Sequence, residues 1–170
     1  GVGGANRLDM AMANGANAFR TWGGDAESIR KSIELAETNR MMIMQGIWLS
    51  QDSAQYFNDE YKNQVREQVA DLAQTFKDDP QILSWGLGNE INLANANIGA
   101  AWQFVEELAQ LIKSIDHQHL VSTVISHSPE ALDSVAMYCP SLDYVGINSY
   151  GDIVHLTEIV EKSAYKGPFM

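Results

Sequence analysis

Strand-like and helix-like segments alternate along all 170 residues, and that alternation limits the fold more than any other feature of the chain. Residues 17–21, 41–48, 82–90, 119–126 and 143–150 read as strands, dense in Ile, Val and Met and apolar through most of their length. Amphipathic helices stand between them. Asp25 caps one whose Ile29, Ile33 and Ala36 share a face. Residues 59–77 carry a stripe of Val65, Val69, Leu72 and Phe76, and residues 98–115 align Trp102, Val105, Leu108 and Ile112. Ser128-Pro129 supplies a cap and a first-turn proline for the next helix, and 152–164 reads as the last. Residues 167–170 begin one further strand. Such a βα alternation builds a parallel sheet with helices outside, and strands apolar through their length fit burial on both faces.

Two architectures satisfy this pattern: an open doubly wound sheet, or an incomplete eight-stranded α/β barrel. The polar residues separate them. In a barrel, function gathers where the strands end, because the βα loops meet there. Here the strands end in Arg20-Thr21-Trp22, Trp48, Asn89-Glu90, Ser126-His127 and Asn148-Ser149-Tyr150, all suited to hydrogen bonding or stacking. Gly146, Asn148 and Tyr150 share one face of their strand, while Val145 and Ile147 point the other way, towards helices. The phosphate-binding signature of a doubly wound sheet is absent. Gly1-Val2-Gly3-Gly4 lacks its spacing and reads as a loop. The expectation is a partial (β/α)8 TIM barrel, one incomplete domain over residues 1–170 with no internal linker.

Composition excludes several partners. A net charge of −11 leaves no basic patch for nucleic acid or an anionic membrane, and no apolar run is long enough to span a bilayer. The single cysteine, Cys139, excludes an internal disulfide and reads as a packed thiol. No His and carboxylate spacing suggests a metal, so neither metal nor cofactor is expected. Residues 1–20 lack the pattern of a leader and do not resemble a native start.

The chemistry concentrates in Leu83-Ser84-Trp85-Gly86-Leu87-Gly88-Asn89-Glu90. Apolar residues and two glycines lead to an amide beside a carboxylate. A carboxylate at the mouth of a strand, between apolar walls and a hydrogen-bonding neighbour, has the surroundings of a general acid. Taken alone, Asn-Glu after a strand also reads as a solvated turn.

This stretch, with Asn17-Ala18-Phe19-Arg20 upstream and Gly146-Ile147-Asn148-Ser149-Tyr150 downstream, resembles the catalytic barrel of the clan A retaining glycoside hydrolases. The likeness covers nearly the whole chain. It is closest to family 2, the β-galactosidase, β-glucuronidase and β-mannosidase group, with family 5 next. The resemblance implies an O-glycosyl hydrolase acting on a β-linked glycan, with Glu90 as acid/base after the fourth strand and Asn89 on the sugar 2-hydroxyl. It also implies that Arg20, ending the second strand, and Tyr150, after the sixth, support a nucleophilic glutamate on the seventh. That second glutamate is expected beyond Met170, and the first strand ahead of Gly1, so the chain reads as strands two to seven and inactive by itself. An extracellular or periplasmic location is favoured. Trp48 departs from the pattern, standing where many clan members carry a histidine.

Residue by residue, the readings compete. Arg20, on a strand of Ala and Phe, needs an anion unless its stem runs to the surface. Asn148 shares the inner face with Tyr150, which could also be a buried aromatic. Trp22 and Trp48 could stack on sugar rings or pack in the core. His127 ends its strand and could line the cleft. His117, His119 and His155 read as exposed helix-end residues, and Asp25 and Asp152 as helix caps. Beside the glycosidase stand two alternatives: a carbohydrate-binding barrel without catalysis, and a transglycosylase using the same site.

Overall fold

In the computed structural model, which describes residues 1–95, 98–151 and 153–170, six strands form one parallel sheet in chain order. These are β1 (Val2–Gly3), β2 (Ala18–Arg20), β3 (Met42–Ile47), β4 (Ile82–Leu87), β5 (Leu120–Ser126) and β6 (Tyr144–Asn148). The helices are α1 (Leu8–Ala13), α2 (Ala26–Thr38), α3 (Asp59–Phe76), α4 (Asn92–Asn95), α5 (Gly99–Ile115), α6 (Pro129–Tyr138) and α7 (Leu156–Lys162). Beyond β6, Phe169 bridges to Val145 in parallel, as the start of one more strand would. A doubly wound sheet reverses its order after the first strand. This one never does, and it curls into a half-barrel.

Local chemistry explains the main elements. Asp25 accepts from Ser28 N at 2.9 Å and starts α2; Ser128 accepts from Ala131 N at 3.1 Å and starts α6. The stripes of α3 and α5 pack against the outward-facing residues of β3–β6 in one large core, with Trp85 and Trp102 fully buried. The inner face holds a smaller cluster, Met44, Val124 and Tyr144. Val145 packs outward, as the alternation of β6 predicts. Cys139 is buried, its Sγ donating to Trp102 O at 3.3 Å, and burial pushes the thiol up to about 12.

The structure corrects the sequence reading in places. Residues 1–4 are not a loop: Val2 and Gly3 pair in parallel with Phe19 and Arg20, and Gly4 N donates to Arg20 O at 2.8 Å. A two-residue strand that is half glycine shows no alternation, so only its neighbour reveals it. Arg20 therefore ends the second strand of the chain itself, Glu90 follows the fourth and Tyr150 the sixth. Helix α1 carries no side-chain cap and starts from Arg7 in a left-handed conformation, so it has no start signal to read. His119 is not exposed. Its side chain is 8% accessible, with Nδ1 2.7 Å from Asp116 Oδ2 and Nε2 3.1 Å from Asp79 O. Asp152, read as a cap, lies outside the described residues; α7 begins after a short 3-10 turn at Ile153–His155.

Candidate active site

Three strand ends deliver the site. β4 stops at Leu87, and Gly88 follows with a φ of 76°. The exit is pinned on both sides: Gly88 N donates to Ile47 O and Glu90 N to Val124 O, each at 2.8 Å. Glu90 itself sits at a φ of 51°, a left-handed conformation that a non-glycine residue holds at a cost of about 1–3 kcal/mol. Such strain collects at functional positions.

The side chains then meet. Arg20 Nη2 donates to Asn89 Oδ1 at 2.7 Å, across 69 residues of sequence. Asn148 Nδ2 donates to Glu90 Oε1 at 2.8 Å and reaches Asn89 Oδ1 at 3.4 Å. The Tyr150 hydroxyl is in hydrogen-bonding reach of Glu90 although its ring stands in solvent; desolvation and the Glu90 charge hold its phenol above the ordinary tyrosine value. Arg20 is half-buried. Desolvation draws its guanidinium below the usual arginine value, and Glu90, Tyr150 and Tyr144 oppose that. Its Nε is buried without a partner. The cluster thus brings together Glu90, Asn89, Arg20, Asn148 and Tyr150, all at the C-terminal rim.

The other expected residues lie around this cluster. Trp22 is half-exposed beside it, with the Arg20 guanidinium 5.8 Å from its ring centroid. Trp48 is also half-exposed but lines a separate cavity over α3. His127 follows β5; its backbone N–H donates to Asn148 O at 3.1 Å, and its Nε2 is buried without a partner. The residues that hold the cluster were not legible as such. Gln51 Nε2 donates to Asn89 O at 3.3 Å, Asn95 Nδ2 to Gln51 O at 3.0 Å, and Asn92 grips Ser126 through both its amide atoms. The four asparagines of residues 89–95 and 97 are a composition signal, but not a geometric one. Gly46 is legible in retrospect as the one glycine within β3. A Cβ there would collide with Thr21 O and come within 2.6 Å of Trp22 C, so only glycine lets the loop after β2 cross β3.

In this parallel half-barrel the strand ends converge on a carboxylate, two amides and a half-buried guanidinium. Residues 11–147 match the family described as GH family 5 beta-mannosidase-like, and the chain belongs to that glycoside hydrolase family. A mannan endo-1,4-beta-mannosidase F of Aspergillus clavatus is 26% identical over 88 residues, which are 52% of this chain and 20% of that protein. Among solved structures, a GH2 beta-galacturonidase of Eisenbergiella tayi superposes with a TM-score of 0.72 at 18% identity, covering 97% of this chain and 30% of that one. An endo-1,4-beta-mannanase of Eisenia fetida gives 0.62 at 12% identity, over 84% of this chain and 59% of that one. The chain spans about a fifth of the length of the curated relative it matches. The resemblance to clan A barrels holds; the matching family model is family 5, while family 2 appears among the structural neighbours.

Proposed function

We propose that the full-length protein hydrolyses β-linked glycosides, β-mannosides first among them, by a retaining mechanism in which Glu90 is the acid/base. One observation carries this reading: Glu90 Oε1 is held at 2.8 Å by Asn148 while the adjacent Asn89 is held at 2.7 Å by Arg20. The preference for mannosides rests on the matched family and on the mannan-cleaving relative.

The chemistry needs two carboxylates about 5–5.5 Å apart, one donating a proton to the leaving oxygen and one attacking the anomeric carbon. Glu90 gives its proton to the departing glycosidic oxygen, then takes one from the water that resolves the glycosyl intermediate. Asn89 Oδ1 is already engaged by Arg20, which leaves its Nδ2 hydrogens for the sugar 2-hydroxyl, where contacts strengthen in the transition state. Tyr150 and Arg20 face the nucleophile, a second glutamate outside residues 1–170. The unpartnered Arg20 Nε supports an anion at that place. Trp22, beside Arg20, flanks the sugar.

In the full-length enzyme, Glu90→Gln should lower turnover by about 10²–10⁴, the usual worth of a positioned general acid. Aryl β-mannosides with good leaving groups need little protonation and should lose far less. Steady-state kinetics on a leaving-group series checks this, and equal losses across the series would remove Glu90 from the role of acid.

A further inference from the structure

We propose that Gln51 is a positioning residue for the acid/base: its side-chain amide locks the peptide plane between Asn89 and Glu90 and thereby sets the direction of the Glu90 carboxylate. This role rests on the hydrolase reading of the cluster and adds to it a residue, from the loop after β3, that acts through Glu90.

The peptide plane is held at both of its polar ends. Its N–H, that of Glu90, donates to Val124 O on β5 at 2.8 Å. Its carbonyl, that of Asn89, accepts from Gln51 Nε2 at 3.3 Å. A two-sided hold matters here because Glu90 sits at a φ of 51°. That angle is the twist of the Glu90 Cα substituents, side chain included, relative to this plane, and a residue other than glycine relaxes from it when free to turn. Asn148 Nδ2 holds the side chain by donating to Oε1 at 2.8 Å. The plane therefore needs a hold of its own, and Gln51 supplies it on the β3 side as Val124 does on the β5 side. Without the amide of Gln51, plane and carboxylate turn against one another.

The backbone of Gln51 is fixed in turn. The preceding residue, Ser50, donates its N–H to the Tyr61 hydroxyl at 2.8 Å, and its carbonyl accepts from the Tyr56 hydroxyl. Tyr56 is buried and packs edge-on against Tyr61 and Phe104. Behind Gln51, Asp52 N donates to Ser50 Oγ at 3.0 Å. Gln51 O accepts from Asn95 Nδ2 at 3.0 Å, and the same Nδ2 donates to Ile91 O at 2.8 Å. Asn95 is fully buried, so this bond ties Gln51 to the turn that follows Glu90. Two aromatic hydroxyls and a buried amide thus give the Gln51 side chain a set origin, and from there it meets the Asn89 carbonyl.

The test uses Gln51→Met in the full-length enzyme, which keeps the reach of the side chain and removes its donor. Residue-resolved hydrogen–deuterium exchange reads the lock apart from catalysis. The Glu90 amide should exchange at least about tenfold faster in the variant, while amides within β4 keep their native rates. In the Glu90→Gly background, where a positive φ carries no strain, Gln51→Met should change exchange at residue 90 far less. On aryl β-mannosides, Gln51→Met should lower kcat by about 10–10² with KM nearly unchanged, the cost of a slightly misplaced catalytic group. The loss should grow as the leaving group worsens. Native exchange at Glu90, faster exchange throughout β4, a loss confined to KM, or one indifferent to the leaving group would each overturn the role. If Glu90→Gln kept full turnover, the hydrolase reading would fall while the exchange rates still decided the lock.

Discussion

At the scale of the residue, Glu90 is the informative position, because its backbone and its side chain make opposite demands. A φ of 51° favours glycine, yet the carboxylate is what Asn148 and Tyr150 surround. The strain persists because the N–H of Glu90 is fixed to Val124 O and the preceding turn to Ile47 O. Removing the side chain therefore separates the two demands. Glu90→Gly should be more stable than Glu90→Ala by roughly 0.5–1 kcal/mol or more, since glycine alone occupies the left-handed region freely. Both variants lose the carboxylate and should be equally inactive. Chemical denaturation of the pair measures the difference; an alanine variant as stable as the glycine one would mean that the turn relaxes.

At the scale of the element, the strand that delivers Glu90 is anchored at its other end by a buried polar group. Trp85 Nε1 on β4 donates to Asp116 Oδ2 at 2.7 Å, and the backbone N–H groups of Gln118 and His119 reach Oδ1 at 3.0 and 3.1 Å. His119 Nδ1 lies 2.7 Å from Oδ2, and its Nε2 lies 3.1 Å from Asp79 O, so α5, β5, β4 and the loop after α3 are joined at one carboxylate. Burial alone would raise the Asp116 carboxyl, but the hydrogen bonds from Trp85, His119 and the two backbone groups outweigh it and hold it below the ordinary aspartate value. The sign follows. A carboxyl whose folded value lies below the unfolded value of about 3.9 adds stability that is complete above that pH and is lost as pH falls through the folded value. Asp116→Asn should cost about 1.5–3 kcal/mol at neutral pH, the worth of a hydrogen bond to a charged group. Its urea midpoint should converge on that of the native chain as the pH falls below about 4. Parallel curves throughout the acid range would show that the carboxylate charge contributes nothing.

At the scale of the whole molecule, the curl that gathers the strand ends also opens the sheet. Met42, Leu120, Phe169 and Met170 are exposed, and Leu83, Leu120, Tyr144, Pro168, Phe169 and Met170 line a cavity of about 550 Å³ with Asp143. An apolar concave face of this kind, flanked by strand edges, associates with whatever can cover it. Residues 1–170 prepared alone should self-associate in a concentration-dependent manner, read by light scattering behind a sizing column. A monomer at all concentrations with a sharp cooperative melt would count against it.

Some of this was settled by the order of residues alone. The alternation of β-branched runs and amphipathic helices dictated parallel strands under helices, because both periodicities follow from backbone geometry. The position of Arg20, Asn89, Glu90, Asn148 and Tyr150 at strand ends was legible for the same reason: in a parallel sheet, every strand end lies on one rim. The first strand was not legible, since two residues carry no period and Val2–Gly3 is a strand only because β2 supplies its partners. His119 was likewise misread, because burial of a polar ring depends on an acceptor 3 residues away in sequence and a carbonyl 40 away. Only the tertiary structure decided that Trp22 lies against Arg20 while Trp48 turns to α3. Strand order brings side chains to the rim, but which of them touch is fixed by the curl of the sheet and by loops that cross it, and neither leaves a periodic trace in the sequence.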